Sequence, residues 1–180
     1  MQEAESGRVG AGSSVITPHA DADVAELLAR RARDRWPDRR DAADGLENLG
    51  TAAVPALVDC LRSDSDGVRW GAVKVLGEIG DPSAISALVE ALEDPDGGVR
   101  WLAAQALISV GPNAFLPLLR QLVTGADSHW LQEGAHHVLR GLQTSTVRPV
   151  VQALEDRFPS LTVPVAANEA LKALESGQSS

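Results

Sequence analysis

The sequence predicts an all-α fold, a solenoid in which antiparallel helix pairs stack with a period of about 31 residues. The phrase VRWGAVKVLGEIG at residues 68–80 returns as VRWLAAQALISVG at residues 99–111. One leucine recurs at nearly the same spacing through five helix-like phrases, at Leu46, Leu76, Leu107, Leu139 and Leu171. Because a helix pair of this size cannot bury its apolar faces alone, such a period indicates units that stack around a shared core.

Each unit is predicted to contain two helices, since apolar residues recur at the helical period in both of its halves. In the first half they form a single stripe at Val68, Ala72, Val75, Leu76 and Ile79. The second half continues the same period at Ile85, Leu88, Val89 and Leu92. Nothing in the repeated body has the alternation that is typical of a strand.

Turn residues mark where these helices begin and end. The GDP tripeptide at 80–82 supplies a left-handed helix stop, an N-cap and a first helical residue, and the GP pair at 111–112 repeats the device. Asp66 and Asp96 stand where they can cap the two helices that carry the VR phrase.

Taken in order, ten helices are expected, in a repeat domain at residues 21–175 that lies between two polar tails. The helices are expected near 21–36, 38–49, 52–62, 66–79, 82–93, 97–110, 112–124, 128–142, 145–157 and 162–175. The first caps the array, and the rest form repeats near 38–67, 68–98, 99–129 and 130–160 and a half-repeat at 161–175. Residues 1–20 and 176–180 are polar and contain Gly and Ser, which predicts disorder.

Composition narrows the possible functions. The net charge of −9 opposes the phosphate backbone, so nucleic acid is not expected as a partner. Charges and glycines interrupt the apolar runs before the roughly 18–20 residues that a membrane helix needs, so no span is expected. The first twenty residues lack the pattern of an export signal, which predicts a cytoplasmic location. The single cysteine, Cys60, follows apolar neighbours and is predicted to be a core residue.

The stretch DSDGVRWGAVKVLGEIGDPSAISALVEALEDPDGGVRWLAAQAL at 64–107 resembles the short HEAT-type repeat of phycobilin lyase subunits and many bacterial proteins. The resemblance covers roughly residues 38–175 and implies an α-solenoid whose VR-bearing helices line a concave inner face. It implies that the positions just after VR face a partner, and artificial libraries built on this scaffold vary these positions. It is specific for the fold and says little about the function, because the repeat serves many unrelated proteins.

The resemblance and the helical angles together predict a binding surface for another protein or a peptide. Trp70 lies about 160° from the buried stripe of its own helix, so it is not expected in that core. The predicted protein-binding residues are Trp70, Lys74, Glu78, Trp101, Leu102, Gln105, Glu133 and His137. As an alternative, each indole could pack against the neighbouring unit and seal the joint between repeats. No cofactor is expected.

Arg69 and Arg100 invite a structural interpretation. In the resembled repeats the arginine of VR bonds to aspartates or backbone groups of a neighbouring unit. The aspartates available for this role are Asp64, Asp66, Asp94 and Asp96.

The fourth unit carries a polar cluster in place of the aromatic residue, at Glu133, His136 and His137. Such a cluster can form a polar end to the groove, a metal site or an acid–base pair. Adjacent histidines point about 100° apart on a helix, which makes one shared ion difficult. The expected function is a non-catalytic binding module. The alternative to it is an enzyme or enzyme subunit, either bilin lyase-like or metal-dependent at these residues. Deoxyhypusine hydroxylases of the HEAT type use His-Glu pairs after VR, and no His-Glu dipeptide occurs in this chain.

Overall fold

The computed structural model describes residues 24, 50–142 and 144–177. Residues 50–142 and 144–177 contain eight α-helices and no strand, which confirms the predicted all-α class. The helices are α1 (Val54–Cys60), α2 (Asp66–Ile79), α3 (Ile85–Glu90), α4 (Gly97–Val110), α5 (Phe115–Thr124), α6 (His129–Leu142), α7 (Arg148–Leu154) and α8 (Pro159–Gly177). Short 3-10 turns lie at Gly50–Ala53, Pro82–Ala84, Ala91–Glu93 and Gly111–Ala114.

The helices form the two stacked layers that the repeat predicts. The VR-bearing helices α2 and α4 lie side by side, and α6 follows α4 in the same layer. The second layer contains α3 packed on α5. The helix pairs α1–α2, α3–α4 and α5–α6 connect the two layers. Each helix of one layer therefore packs against its neighbours in both layers, as in a solenoid.

The predicted helix bounds match best where the repeat is most regular. α2 and α4 span the predicted residues, and α6 starts one residue later than expected. The helix expected at 82–93 is divided, because 3-10 turns flank the six residues of α3. The helices expected at 21–36 and 38–49 and the tail at 1–20 lie outside the described residues, apart from the buried Val24.

The caps follow the sequence pattern with one exception. Gly80 takes the left-handed conformation at φ 66° and donates its N–H to Leu76 O at 3.0 Å. Asp81 accepts a hydrogen bond from Ser83 N at 2.8 Å. Hydrogen bonding by the Ser83 side chain, and then by this backbone N–H, holds the pKa of the Asp81 carboxyl below its ordinary value. Asp96 caps α4 by accepting from Val99 N at 3.0 Å. The prediction for Asp66 is wrong, because it is the first residue of α2 and its carboxylate accepts from the adjacent Gly67 N instead.

The interior is made of aliphatic residues that recur with the repeat. Leu76, Leu107 and Leu139 are fully buried, and Leu171 is buried at the edge of the core. Cys60 is buried, as predicted, and this burial raises the pKa of its thiol. Because the recurring leucines share one core, the array is held together by contacts between units as well as within them.

The last helix, α8, does not follow the stacking order of the repeat. A strict repeat would place α8 beside α6, whereas α8 packs against α5 and α7. Thr162 Oγ1 donates to Ala153 O at 3.2 Å, and Arg120 forms an exposed ion pair with Glu175 at 3.3 Å. The helix runs through Ser176 and Gly177, so the tail predicted from residue 176 is wrong for these two residues. Residues 178–180 lie outside the description. α8 therefore extends the second layer.

One stretch meets the length and apolarity of a membrane span, contrary to the expectation from the sequence. Gly97–Thr124 is a run of 28 helical residues that contains an 18-residue window of mean hydropathy 1.5. It comprises α4, a 3-10 turn and α5, and the chain bends at Gly111, where φ is 77°. Of its apolar window, 44% is buried inside the fold. Its apolar residues thus include core residues of two successive helices.

Replacing Gly77 with alanine is expected to lower the free energy of unfolding by about 1 kcal/mol. A Cβ atom at Gly77 would lie 2.8 Å from Ala106 Cβ and 3.3 Å from its Cα, so α2 and α4 would have to move apart. Overpacking of this kind costs roughly 1–3 kcal/mol, which outweighs the gain in helix propensity of roughly 1 kcal/mol.

Gly141→Ala is the matched control for Gly77→Ala. Its Cβ would approach Ile108 Cδ1 at 2.9 Å and Cγ1 at 3.1 Å, and these side-chain atoms can move by a change of rotamer without a shift of the backbone. Urea unfolding should show a change within roughly 0.5 kcal/mol for the control. Equal losses in both variants would contradict the close contact between α2 and α4.

Candidate functional site

A groove of about 680 Å³ lies between α4 and α6, and we call it the α4–α6 groove. Small residues line it between the two helices, including Ala104 on α4 and Gly134 on α6. Larger aromatic and charged side chains also line it: Arg100, Trp101, Trp130, Glu133, His137 and Arg140. The groove therefore combines apolar surface with charge, a composition suited to binding a polypeptide segment.

Three of the eight predicted binding residues line this groove, namely Trp101, Glu133 and His137. Two others lie on α2, where Lys74 and Glu78 form an ion pair at 3.3 Å. The remaining three take other places. Gln105 contacts the groove residue His137, Leu102 is partly buried against the core, and Trp70 lies on the joint between α2 and α4.

Trp70 and Trp101 are repeat equivalents that meet different neighbours. Trp70 is 40% exposed and lies over Gly98, where an added Cβ atom would be 3.4 Å from indole Cδ1. In the next unit Trp130 occupies the position that corresponds to Gly98. Trp101 therefore lacks the gap that accommodates Trp70, and it is 59% exposed.

Trp130 lines the groove although it is not among the eight predicted binding residues. It is 44% exposed, and the guanidinium carbon of Arg100 lies 3.7 Å from the centroid of an indole ring. Such stacking stabilises both groups by roughly 0.5–2 kcal/mol. The signal that could have identified it is its register, because it occupies the position at which the preceding unit has Gly98.

Arg69 has the structural role that the resemblance implied. Its Nε and Nη2 donate to the two carboxylate oxygens of Asp94 at 2.7 and 3.0 Å. Its Nη1 donates to Ser63 O at 2.8 Å and to Asp64 O at 3.3 Å. The hydrogen bond with Asp94 raises the pKa of Arg69 above its ordinary value. Arg69 thus ties the loop before α2 to the loop before α4.

Arg100 makes the same contacts to backbone carbonyls as Arg69 but has no carboxylate partner in the described residues. Its Nη1 donates to Asp94 O at 2.7 Å and to Pro95 O at 3.1 Å, as the equivalent atom of Arg69 does in its own loop. In the described part of the chain it has no ion-pair partner within 4.0 Å. Its other contact is the face of Trp130.

The polar cluster of the fourth unit separates into two independent contacts. His136 Nε2 lies 3.0 Å from Glu155 Oε1, and this hydrogen bond, more than the nearby charges, holds the pKa of Glu155 below its ordinary value. Glu155 Oε1 also lies 3.7 Å from Arg140 Nη1. His137 Nε2 meets Gln105 Nε2 at 2.7 Å.

These contacts bear on the alternative of a metal-dependent enzyme. His136 and His137 turn toward different partners, one at the C-cap of α7 and one on α4. Among the described residues no three His, Cys, Asp or Glu side chains come together as a metal-binding group. The geometry therefore gives the metal-dependent alternative no set of ligands in this part of the chain.

Comparison with known proteins identifies the repeat. No curated protein matches the chain. A family model described as HEAT repeats matches three overlapping windows, residues 22–108, 54–140 and 87–175. Each window is longer than two of the 31-residue units, and consecutive windows begin about one unit apart. Because the three matches together extend from residue 22 to residue 175, the chain belongs to the HEAT repeat family.

Proposed function

We propose that this protein is a non-catalytic binding module and that the α4–α6 groove holds a segment of another protein. HEAT repeats generally form helical scaffolds that mediate protein–protein interaction, which favours this class of function. The observation that carries the proposal is the pair of exposed indoles, Trp101 and Trp130, that line one groove. Trp70 and the Lys74–Glu78 pair lie on the adjacent α2 and would extend the same surface.

The exposed indoles can supply much of the binding free energy. Aromatic side chains bury roughly 150–250 Å² each, and tryptophan is among the residues that most often dominate an interface. At roughly 25 cal/mol per Å² of apolar surface, covering the exposed part of both rings would contribute several kcal/mol. The polar residues around them would then set the register of the partner.

The scaffold beneath the groove is suited to hold these residues in place. Ala103, Ala104 and Leu107 of α4 and Leu131 and Ala135 of α6 are buried in the shared core. A partner would therefore meet side chains on two packed helices, which lowers the entropy lost on binding.

Selection from a displayed library of random dodecapeptides tests the proposal. Peptides enriched on the immobilised protein are expected to shift its tryptophan emission to the blue and to protect it from acrylamide quenching, because bound peptide would cover exposed indoles. Emission spectra and quenching constants, measured with peptides that lack tryptophan, give the readout.

Two results would contradict the proposed function. The first is a selection that enriches no peptide above the background of the uncoated support. The second is enrichment of peptides that bind without changing either the emission or the quenching of the tryptophans. The second result would place binding elsewhere on the molecule.

A further inference from the structure

The two VR arginines differ in a way that indicates the chemistry of the partner, and this inference rests on the proposed function. Arg69 and Arg100 occupy the same position of successive units, and the Nη1 of each donates to two carbonyl oxygens of the preceding loop. The remaining Nε–Nη2 edge of each guanidinium is the part that can hold a carboxylate in the bidentate manner.

Within the protein, this edge of Arg69 binds a carboxylate. Arg69 Nε and Nη2 reach the two oxygens of Asp94 at 2.7 and 3.0 Å. The same edge of Arg100 has no hydrogen-bond acceptor among residues 50–142 and 144–177. The cause is visible in the sequence. The carboxylate that Arg69 binds comes from the following unit, where Asp94 lies five residues before Val99. In the unit that follows Arg100, the equivalent residue five positions before Leu131 is Ala126, which has no carboxylate.

The surroundings of Arg100 favour an acceptor from outside the protein. Arg100 is partly exposed and lines the α4–α6 groove. The ring of Trp130 covers one face of its guanidinium at 3.7 Å and restricts its orientation. The other arginine of the groove, Arg140, already has Glu155 at 3.7 Å.

We propose that the α4–α6 groove binds an acidic protein segment and that Arg100 receives a partner Asp or Glu as Arg69 receives Asp94. An apolar residue beside that acidic residue would lie against Trp101. Glu133 stands one helical turn after Trp130 and has no cation within ion-pair distance in the described part of the chain. A partner is therefore expected to carry a neutral or basic residue next to Glu133.

The test uses the full-length protein and the selected dodecapeptides. Most enriched peptides are expected to contain an Asp or Glu next to an apolar residue. Changing the acidic residue of the peptide to Asn or Gln should weaken binding to the wild-type protein about tenfold or more, because a charge-assisted hydrogen bond is lost. The same peptide change should have little effect on binding to R100Q. Fluorescence polarisation of labelled peptides measures all four affinities.

Two further variants sharpen this test. R62Q makes the same charge change at an exposed arginine of the α1–α2 turn and should bind acidic peptides as the wild type does. A126D offers Arg100 an internal carboxylate at the position equivalent to Asp94 and should weaken acidic peptides about tenfold while the melting temperature is kept or raised. If A126D fails to fold, the four affinities of the wild type and R100Q for the original and the changed peptide still show whether Arg100 binds the acidic residue.

The outcomes separate this inference from the proposed function. Enriched peptides that lack acidic residues, or whose acidic residue matters equally to the wild type and R100Q, would overturn the role of Arg100 and leave a peptide-binding groove. Displacement of the peptides by a single-stranded oligonucleotide at equal concentration would also overturn it, since the groove would then recognise phosphate. No enrichment of any peptide would overturn both proposals.

Discussion

Replacing Asp94 with alanine is expected to lower the free energy of unfolding by about 3 kcal/mol, one of the largest effects of a single substitution in this protein. Arg69 and Asp94 form a bidentate pair in which the side chains are only 11% and 8% exposed. Removing the carboxylate would leave a nearly buried guanidinium with only its backbone partners. Asp94 also accepts from Asp96 N at 2.8 Å, so the loop before α4 would lose a second restraint.

Asp59→Ala is the matched control for Asp94→Ala. Asp59 also pairs with an arginine, Arg62, at 3.3 Å, but both side chains of that pair are exposed. Exposed pairs contribute roughly 0–1 kcal/mol, so the control should unfold close to the wild type. Guanidinium chloride unfolding measures both variants. A double-mutant cycle between Arg69→Ala and Asp94→Ala should give a coupling of more than about 1 kcal/mol. Additive losses would show that the pair does not hold the two loops together.

The fold was predictable because several local signals agreed in each unit. The apolar stripe that contains Leu76, the left-handed Gly80 and the capping Asp81 each favour the same boundary between helices. Where local and global signals agree in this way, the period of the sequence determines the architecture. Asp66 could not be placed from the pattern, because a shift of one residue decides whether an aspartate caps a helix or begins it.

The last helix and the groove depended on contacts between units, which a single period does not describe. α8 has the apolar spacing of another repeat, yet it packs on α5 and α7. The sequence predicted Trp70 and Trp101 as a pair from their equal positions. Their surroundings differ because Trp70 faces Gly98, whereas the unit next to Trp101 has Trp130 at the position equivalent to Gly98. The open edge of Arg100 likewise depends on the absence of an aspartate in a neighbouring unit.

Replacing Trp101 and Trp130 together with alanine is expected to lower the affinity for the selected peptides by at least about a hundredfold. Truncation of one dominant interface residue costs roughly 2 kcal/mol or more, and both indoles line the same groove. The melting temperature should change by only a few degrees, because both side chains are substantially exposed and neither belongs to the buried core. Fluorescence polarisation and thermal unfolding followed by circular dichroism measure the two effects on the same preparations.

The two control variants for this prediction separate binding from packing. Phe158 and Leu161 at the start of α8 are also large exposed apolar residues outside the α4–α6 groove, and replacing both with alanine should leave peptide affinity unchanged. Trp70→Ala should weaken binding less than Trp101→Ala, since Trp70 contacts Gly98 and does not line the groove. If the Trp101 and Trp130 double variant unfolds, the indoles hold the repeats together and the groove loses its role. Full affinity in a folded double variant would instead require a different binding surface.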